Sequence, residues 1–496
     1  MWQKLFCGRW LPQFFREIIV KRRRYQTSAT HSHWLEAHHS SHLTHGNISC
    51  REPGHPHHGI VPVDCSTALE AVQPIKSGDN LYVHGIAATP TELLEALCEH
   101  AKSNSLKNVT LHHMHLEGSA SWAKPEYQGV LRSNNLFVGA SMREAVREGE
   151  ADAVSIFLSE IPLLFARGAI PLDVALIHVS APDRHGFCSL GVSVECARSA
   201  MLHANKIIAM VNEDMPRTFG DGIIHCSHIS RMVRLKQSRP PHCRRMKELS
   251  TIDVAIGRTI AEELVEDGAT LQMGIGSIPD AVLNSLTEHK NLGVHTEMFS
   301  DGVLELIRCG ALTNSHKAII PGRLVSSFAH GSKNLYDFMH DNPTLIMGCV
   351  SWVNNSFVIR QNPKVTAINS AVEVDITGQV VADSIGTNVI SGFGGQIDYI
   401  RAAALSSDGK GKPIIALPST TAKGQSKIVP TIQEGAGVVT TRAHVHYVVT
   451  EYGIARLFGR NLRQRAYELI NIAHPKEREA LEKAAFDRLN CMPSPD

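Results

Sequence analysis

Short runs of branched and aliphatic residues alternate with amphipathic stretches from about Gly59 onward. The runs are rich in Val, Ile and Leu and are typical of strands. Between them apolar residues recur every three or four positions, as in residues 91–101, which predicts helices. Regular alternation of strand and helix predicts an α/β fold with a mainly parallel sheet. The predicted strands of the first half are residues 81–84, 109–112, 154–158, 174–179 and 207–211.

This alternation stops around residues 231–247, where the chain reads RMVRLKQSRPPHCRRMK. The segment is basic, contains two adjacent prolines and has no periodic apolar spacing, so it predicts a linker between domains. A helical pattern resumes at residues 252–265, stops near Gly268, and is followed by a second alternating region. We therefore divide the chain into a leader at residues 1–58, a first domain at 59–230, a linker at 231–250 and a second domain at 251–496.

A similar segment occurs in both predicted domains. The first copy, GDNLYVHGIAATP, begins at Gly78, and the second, GATLQMGIGSIP, begins at Gly268. Each copy has the pattern of a strand, a turn of small residues and a proline that opens a helix. The likeness predicts two similar open α/β domains with the active site in the cleft between them. A chance likeness between two strand-to-helix turns is the alternative.

Composition narrows the class of protein. Of the 496 residues, 43% are hydrophobic and 20% are charged, which is typical of a folded globular protein. The 49 Lys and Arg residues nearly balance the 48 Asp and Glu residues. Nucleic acids and anionic membranes need a concentrated excess of basic residues, so we expect neither as a partner. The chain also has no run of about 18 apolar residues, which argues against a membrane span.

Cysteine and histidine spacing predicts no built metal site. The 11 cysteines are scattered without a C-x-x-C pair, so a zinc cage is not predicted and a reducing compartment is the simplest setting. Nine of the 28 histidines fall within residues 31–58, in a stretch without apolar periodicity. We expect that stretch to be a disordered leader, with incidental metal affinity as the alternative.

The first 24 residues carry seven basic side chains and one acidic side chain. Large apolar residues recur among them at helical spacing, so the segment can present an apolar stripe beside a basic one. This resembles a mitochondrial transit peptide and predicts a location in the mitochondrial matrix. A secretory signal needs an uninterrupted apolar centre, which Arg9, Pro12 and Arg16 break. A basic tail without function is the remaining alternative.

Two segments of the second domain contain candidate residues for ligand binding and catalysis. GIGSIP, from Gly274, lies between a predicted strand and helix, where free amides can hold an anion, although a tight turn without a ligand fits equally well. Glu297 follows a β-like run, where partial desolvation would raise its pKa and make the carboxylate more nucleophilic. A capping or salt-bridged Glu is the alternative. His295 lies two residues earlier, and we expect it to make a structural hydrogen bond.

Two further segments lie downstream. SGFGGQID contains Gly392, Gly394 and Gly395, whose amides can stabilise an oxyanion, and a flexible connection is the alternative. PSTTAKG contains Lys423 in a loop of small residues that suits a phosphate or carboxylate.

Together these motifs resemble the acetyl-CoA hydrolase/transferase family of class I coenzyme A transferases, most closely its 4-hydroxybutyrate CoA-transferase group. The resemblance extends from about Gly59 to Leu489, with the motifs in the same order. It is carried by HGIAATPTELLEAL, KPEYQGVLRSNNLFVGASMREAV, FLSEIPLLF, IPLDVALIHVSAPDRHGFCSLG, LQMGIGSIPDAV, HTEMFSDGV, INSAVEVDITGQV, SGFGGQIDYIRAA and VVTEYGIARLFGRNLRQRA.

The resemblance implies an enzyme in which coenzyme A is a substrate and no cofactor is tightly bound. The family's catalytic glutamate falls on Glu297. Acyl-CoA and small carboxylic acids are the implied ligands, and a homodimer is the implied assembly. One departure is the linker, which is usually acidic in the family and is basic here. The implied coenzyme A contacts are Gly274, Ile275, Gly276, Ser277, Ile278, Asn369, Gly392 and Lys423, with Gly394 and Gly395 beside the reacting carbonyl.

The mechanism implied is a ping-pong exchange through a glutamyl-CoA thioester on Glu297. A carboxylate nucleophile explains why neither a metal nor an ATP motif is needed. An acyl-CoA hydrolase that uses the same glutamate is the first alternative. A non-catalytic protein that binds coenzyme A or a metabolite is the second.

Overall fold

The computed structural model describes residues 52–245 and 248–496. The predicted transit segment and most of the histidine-rich stretch lie outside the described residues. Among the helices that are described, none is both long and apolar enough to cross a membrane.

A sheet of eight strands forms the centre of the first half, and each of its neighbouring pairs is parallel. The strands described in this half are β1 (Val63–Cys65), β2 (Asn80–Val83), β3 (Val109–His113), β4 (Leu131–Asn135), β5 (Asp152–Ala153), β6 (Val174–Ser180), β7 (Phe187–Ser189), β8 (Lys206–Asn212), β9 (Phe219–Gly220), β10 (Ile223–His225) and β11 (Arg231–Arg234). The sheet order is β1-β11-β8-β6-β2-β3-β4-β5. Every residue of β6 is buried, as expected for a strand inside a parallel sheet that is covered on both faces.

Helices connect these strands. The longest, α2, begins after Pro90, has Glu92 in its first turn and Lys102 in its last, and buries an apolar stripe. The helices of this half are α1 (Ala68–Val72), α2 (Thr91–Ser103), α3 (Arg143–Arg147), α4 (Ile161–Ala166) and α5 (Ala197–His203), with 3₁₀ turns at Ser121–Ala123, Pro125–Tyr127, Ala140–Met142, Leu158–Glu160 and Cys226–His228.

A six-stranded sheet forms the centre of the second half, in the order β13-β12-β18-β23-β25-β26, and only its β25-β26 pair is antiparallel. The strands are β12 (Thr270–Met273), β13 (Gly293–Val294), β14 (Met298–Phe299), β15 (Leu324–Ser326), β16 (Phe328–Ala329), β17 (Leu345–Met347), β18 (Val365–Ser370), β19 (Glu373–Asp375), β20 (Val380–Val381), β21 (Ser384–Ile385), β22 (Asn388–Val389), β23 (Lys412–Ala416), β24 (Ile428–Val429), β25 (Tyr447–Thr450) and β26 (Gly453–Arg456).

The first helix of this half, α6, begins at a capping box in which Ser250 and Asp253 exchange hydrogen bonds. The helices are α6 (Thr251–Glu263), α7 (Ser277–Asn284), α8 (Gly302–Arg308), α9 (Lys333–Met339), α10 (Val350–Val353), α11 (Ser356–Ile359), α12 (Gln396–Ala404), α13 (Leu462–Asn471) and α14 (Arg478–Leu489), with a 3₁₀ turn at Pro475–Glu477. The prediction of an α/β fold with mainly parallel sheets is confirmed.

The two similar sequence segments occupy comparable places. The first contains β2, which lies between β6 and β3 and is followed by α2. The second contains β12, which lies between β13 and β18 and is followed by α7. Both are interior strands whose carboxyl ends lead through a turn into a helix.

The two halves share one hydrophobic core. Tyr82 of the first sheet and Leu271 and Met273 of the second belong to the same buried cluster. Their neighbours Leu81 and Val83 belong to a second cluster, which is confined to the first half. A third cluster lies on the outer side of the second sheet. Each sheet therefore turns one face to the shared core, which fixes the two halves against each other.

Two details of the sequence interpretation need correction. Residues 154–158 do not form a strand: only Asp152–Ala153 pair with β4, and the chain then turns toward the second half, where the Leu158 amide donates to the Gly394 carbonyl at 3.0 Å. Residues 231–234, assigned to the linker, form β11 between β1 and β8. The sequence pattern did not indicate this strand because its apolar part is only two residues long, Met232 and Val233, with an Arg on each side.

Candidate active site

Glu297 lies where the two halves meet. It directly precedes β14, and its carbonyl accepts hydrogen bonds from the amides of Ser327 and Phe328 at 2.9 and 3.1 Å. Its carboxylate oxygen Oε2 accepts a hydrogen bond from Asn354 Nδ2 at 3.0 Å. The Gly395 amide also donates to this carboxylate. The backbone of Glu297 is thus fixed by the neighbouring strand, and its side chain is fixed by two uncharged donors.

Burial raises the pKa of Glu297 to about 7. The Asn354 hydrogen bond opposes this shift, the nearby Asp398 carboxylate adds to it, and the Gly395 amide opposes it again. Desolvation is the largest cause because it disfavours the charged form of the carboxyl group. A carboxylate held by so few donors keeps much of its basicity, which suits a nucleophile better than a salt bridge would.

Asn354 joins Glu297 to a second acidic side chain. Its Nδ2 also donates to Asp398 Oδ2 at 3.3 Å, so one amide bridges two carboxyl groups. Asp398 in addition accepts the Ser159 hydroxyl at 2.8 Å and the Ser159 amide at 3.3 Å. Burial raises the pKa of Asp398 to about 7, against the opposing effect of these hydrogen bonds. Because Ser159 belongs to the first half, the chain Ser159–Asp398–Asn354–Glu297 crosses between the halves.

The glycine segment Gly392–Gly395 passes closely over this network. A Cβ atom at Gly395 would overlap Glu297 Oε2 and Asn354 Nδ2, so the backbone approaches the carboxylate more closely than any other residue type allows. A Cβ at Gly392 would lie 3.0 Å from the Phe137 ring of the first half. The glycine segment therefore lies against Glu297, and the Gly395 amide is the donor that faces its carboxylate. A role for Gly394 and Gly395 beside a reacting carbonyl stays a prediction.

The predicted coenzyme A turn and Asn369 come together at one sheet edge. Gly274 follows β12 directly, and Asn369 lies at the end of the neighbouring parallel strand β18. Asn369 Nδ2 donates to Gln272 Oε1 at 2.9 Å. The turn continues through Gly276, whose φ of 139° is open to glycine alone, into the amino end of α7. Carboxyl ends of adjacent parallel strands are where ligands bind in open α/β sheets.

The other predicted coenzyme A contacts differ in whether their side chains are exposed and available to a ligand. The Ile275 side chain is 43% exposed, whereas Ile278 is buried in the shared core and can offer a ligand only its backbone. The Ser277 hydroxyl donates to Asp253 Oδ1 at 2.8 Å, which ties α7 to α6. Lys423 is exposed in the loop that follows β23, on the same edge as Asn369.

His295 has the structural role that the sequence predicted. Its ring nitrogen Nε2 is 2.9 Å from the Val353 carbonyl, and the residue is 1% exposed. Burial lowers the pKa of His295 to about 3, so the ring is neutral and can donate to that carbonyl. The contact also fixes the residue that precedes Asn354.

Two sequence profiles match the chain. The acetyl-CoA hydrolase/transferase N-terminal domain matches residues 64–242, and the C-terminal domain matches residues 331–485. The chain belongs to this family. The family predicted from the sequence motifs is confirmed, and so is the expectation of an enzyme of the CoA-transferase class at this level.

Individual relatives agree with this assignment. The chain is 56% identical over 445 residues to a succinyl-CoA:acetate/propanoyl-CoA:succinate CoA transferase of Fasciola hepatica, covering 90% of this chain and 92% of the relative. It is 46% identical over 420 residues to the 4-hydroxybutyrate coenzyme A transferase of Clostridium kluyveri, covering 84% and 95%. A solved 4-hydroxybutyrate CoA-transferase of Porphyromonas gingivalis superposes with a TM-score of 0.73 at 37% identity, covering 86% of this chain and 98% of that one.

Sequence reasoning missed three residues of the network around Glu297: Ser159, Asn354 and Asp398. Asp398 lies in the first turn of α12 and inside a motif that carried the resemblance, SGFGGQIDYIRAA, yet nothing local marks it as a partner of Glu297. Asn354 lies in a short loop after α10 without any motif. Asn354 is 57 residues from Glu297 and 44 residues from Asp398 along the chain. Only the fold brings these side chains into contact.

Proposed function

We propose that the chain is an acyl-CoA:carboxylate CoA-transferase that works by ping-pong transfer through a glutamyl-CoA thioester on Glu297. The observation that supports this most is the setting of that carboxylate. It is desolvated, held by Asn354 and the Gly395 amide, and forms no ion pair with Lys or Arg among the described residues. An ordinary salt-bridged glutamate has the opposite environment.

The first half-reaction needs two nucleophilic attacks. A Glu297 carboxylate oxygen attacks the thioester carbon of the donor acyl-CoA, and the carbon–sulfur bond breaks to give an acyl-glutamyl anhydride and the CoA thiolate. The thiolate then attacks the glutamyl carbon of the anhydride. The donor acid leaves as its carboxylate, and Glu297 remains as a thioester of coenzyme A.

The second half-reaction reverses these steps with another acid. The acceptor carboxylate attacks the glutamyl thioester, which releases the CoA thiolate and forms a new anhydride. The thiolate attacks the acyl carbon of that anhydride, so the new acyl-CoA departs and the Glu297 carboxylate is regenerated. One thioester replaces another, and no other source of energy is needed.

Each attack on the glutamyl carbon creates an oxyanion on the side chain of Glu297 itself. The Gly395 amide and Asn354 Nδ2 already point at that carboxyl group and are the donors placed to stabilise the charge. The Gly274–Ile278 turn and Asn369 would hold the coenzyme away from the reacting bond, where its binding energy can press the thioester against Glu297.

The acyl groups proposed are short ones, in keeping with the relatives. Those relatives are named for the transfer of CoA among succinyl, acetate and propanoyl groups or to 4-hydroxybutyrate. We also propose a homodimer and, for residues 1–58, delivery to the mitochondrial matrix, which the basic amphipathic segment of the sequence supports.

Chemical trapping tests the covalent step. Incubation with acyl-CoA followed by borohydride should reduce the glutamyl thioester to an alcohol and inactivate the enzyme, with the mass change localised to the peptide that contains Glu297. Glu297→Gln should lower kcat by about 10³-fold or more and abolish the labelling, because an amide oxygen is a poor nucleophile.

The matched control is Glu288→Gln, which changes an exposed glutamate nine residues away. It should trap and turn over like the wild-type enzyme. Exchange that persists in Glu297→Gln would refute the mechanism. Release of free acid and CoA without an acceptor would mark a hydrolase, and tight acyl-CoA binding without turnover would mark a binding protein.

A further inference from the structure

A tyrosine hydroxyl contacts Asn354 at the end of its amide group that the acidic side chains leave free. Tyr399 follows Asp398 on α12 and is fully buried. Its hydroxyl oxygen lies 3.4 Å from Asn354 Oδ1 and 3.2 Å from the carbonyl oxygen of Val353. No step of the proposed mechanism uses this hydroxyl, so its place beside the network needs another explanation.

The Asn354 side chain has a partner for each of its polar groups. An amide offers two N–H donors and one carbonyl acceptor. The N–H groups face Glu297 Oε2 at 3.0 Å and Asp398 Oδ2 at 3.3 Å. Oδ1 faces the Tyr399 hydroxyl, which is its one hydrogen-bond donor in the part of the chain that the structure describes. Half a turn of the amide would bring Oδ1 against two acidic side chains, so the observed orientation is the one that satisfies the network.

The hydroxyl proton of Tyr399 is shared between two acceptors. Both distances are longer than that of an ideal hydroxyl hydrogen bond, as expected for a proton placed between two oxygens. The Val353 carbonyl has a second donor, His295 Nε2 at 2.9 Å. It therefore keeps a partner without Tyr399, whereas the buried Asn354 Oδ1 would have none among the described residues. The contact with Oδ1 is thus the one that depends on the hydroxyl.

Packing fixes the Tyr399 ring and, with it, the position of the hydroxyl. The ring belongs to the apolar cluster on the outer side of the second sheet, together with Ile359 and Ile400. The Tyr399 amide donates to the Gly395 carbonyl at 3.2 Å. One turn of α12 therefore holds Tyr399, Asp398 and the glycine donor together.

The charges around Glu297 keep the hydroxyl protonated. Burial raises the pKa of Tyr399 well above its usual value, and the charges of Glu297 and Asp398 add to this effect. Asp398 is the acidic side chain that raises the pKa of Glu297, and Glu160 of the first half adds a negative charge near Asp398. Tyr399 is therefore a hydrogen-bond donor throughout the pH range in which Glu297 titrates.

We propose that Tyr399 is a positioning residue that holds the Asn354 amide in the orientation that places an N–H group on Glu297. This inference rests on the proposed function and adds a residue that no step of the mechanism uses. A donor at the carbonyl end of an amide polarises the group and strengthens donation at its nitrogen. Tyr399 acts through Asn354 and takes no part in forming or breaking bonds.

Removal of the hydroxyl tests this role. Tyr399→Phe should lower kcat about 10-fold, the effect of one hydrogen bond, while KM for acyl-CoA changes by less than about twofold. Weaker donation from Asn354 leaves the carboxylate less stabilised, so the pKa of Glu297 should rise. The fall of kcat/KM in acid should therefore have its midpoint at a higher pH than in the wild type.

Tyr336→Phe is the matched control. Tyr336 is also buried, and its hydroxyl donates to the His242 carbonyl at 2.6 Å. This variant should lose stability to a similar extent but keep the wild-type kcat and pH profile. A second comparison uses Asn354→Ala, to which Tyr399→Phe should add no further loss of rate, because the residue through which it acts is gone.

A measurement without substrate separates this role from the transfer reaction. The infrared difference spectrum between the wild type and Glu297→Gln follows the protonation of Glu297 across pH, and the same pair can be compared in the Tyr399→Phe background. The midpoint should lie at higher pH in that background. If no acid accepts CoA from the wild type, the proposed function fails, yet this shift would still support the role of Tyr399.

A replacement that keeps the hydroxyl provides the test if Tyr399→Phe does not fold. With 3-fluorotyrosine in place of Tyr399, the hydroxyl is more acidic and donates more strongly to Asn354 Oδ1. The midpoint of the acid fall in kcat/KM should then move to lower pH, and a midpoint that stays in place would contradict the proposed role.

Three further results would overturn the inference. One is a folded Tyr399→Phe variant with the kcat and the pH profile of the wild type. Another is an equal shift of the midpoint in Tyr336→Phe, which would make the effect one of general stability. The third is a full further loss of rate when Tyr399→Phe is added to Asn354→Ala, since Tyr399 would then act by another route.

Discussion

In the proposed mechanism Glu297 has to be negatively charged to attack a thioester, but its surroundings disfavour that charge. Burial is the main reason its pKa rises to about 7, and the Asn354 and Gly395 donors offset only part of that effect. The nearby Asp398 carboxylate raises it further. The ionised carboxylate is therefore more basic than that of an ordinary glutamate, but it becomes protonated already in mildly acidic solution.

The pH dependence of kcat/KM for acyl-CoA should report this balance. Below its pKa the Glu297 carboxyl is protonated and does not attack, so activity should fall as the pH drops through about 7, well above the range of an ordinary glutamate. Asp398→Asn removes a negative charge that raises the pKa of Glu297, so the midpoint of this acid limb should move to lower pH. Steady-state rates measured between pH 5 and 9 provide the comparison.

Asp487→Asn is the control for this shift, since it removes an exposed carboxylate on α14. Its acid limb should coincide with that of the wild type. If Asp398→Asn folds normally and the midpoint of its acid limb is unchanged, Asp398 does not affect the pKa of Glu297 and serves only to bind Ser159. Asp398 acts on the nucleophile through Asn354, so it is a positioning residue in this scheme.

The glycine segment before α12 has to approach Glu297 without side chains. Gly395 has φ −95° and ψ 9°, which other residues adopt readily, so its identity is required by space and not by backbone strain. The segment is held from the first half by the Leu158 amide and by the Arg143 side chain, which donates to the Ile390 carbonyl at 2.7 Å. A loop fixed in this way can keep its amide aimed at a carboxylate through the cycle.

Gly395→Ala should lower kcat by at least about 10²-fold, because the added methyl group displaces the Glu297 carboxylate or Asn354 from its position. The melting temperature should change little, since the backbone angles suit alanine. Gly54→Ala, at an exposed position with room for a methyl group, is the control and should leave the rate unchanged. A fully active Gly395→Ala would mean that the glycine segment moves away before the reaction.

Interior strands and capped helices were the elements that the sequence predicted best. Residues 174–179 were predicted as a strand and form most of β6, where each side chain is buried. Residues 252–265 were predicted as a helix and correspond to α6, whose start is set by Ser250 and Asp253. Residues 154–158 failed because an apolar run only indicates burial, and here the burial comes from contact with the second half instead of a sheet.

A buried ion pair fastens the linker to the second half. Arg244 donates to Asp280 at 2.8 Å, and their side chains are 15% and 4% exposed. Asp280 belongs to α7, the helix that follows the predicted coenzyme A turn. A basic residue of the linker thus provides the partner of a buried acid.

Arg244→Ala should lower the free energy of unfolding by about 3 kcal/mol, because it leaves the Asp280 carboxylate buried with only the Ser300 hydroxyl as a side-chain partner. Urea denaturation measures this loss. Arg245→Ala is the neighbouring control: its side chain is exposed, and no change in stability is expected. Equal unfolding curves for the two variants would show that the Arg244–Asp280 pair contributes nothing.

Local sequence was sufficient for the fold class and the family, since strand and helix periodicity, glycine turns and short motifs are encoded by neighbouring residues. It also singled out Glu297 as the candidate nucleophile. It did not reveal Asn354, Asp398 and Ser159 as one network. Those groups come from both halves and meet because the two sheets share a core. Desolvation and hydrogen-bond geometry depend on which segments become neighbours in space, and no local pattern in the chain specifies that.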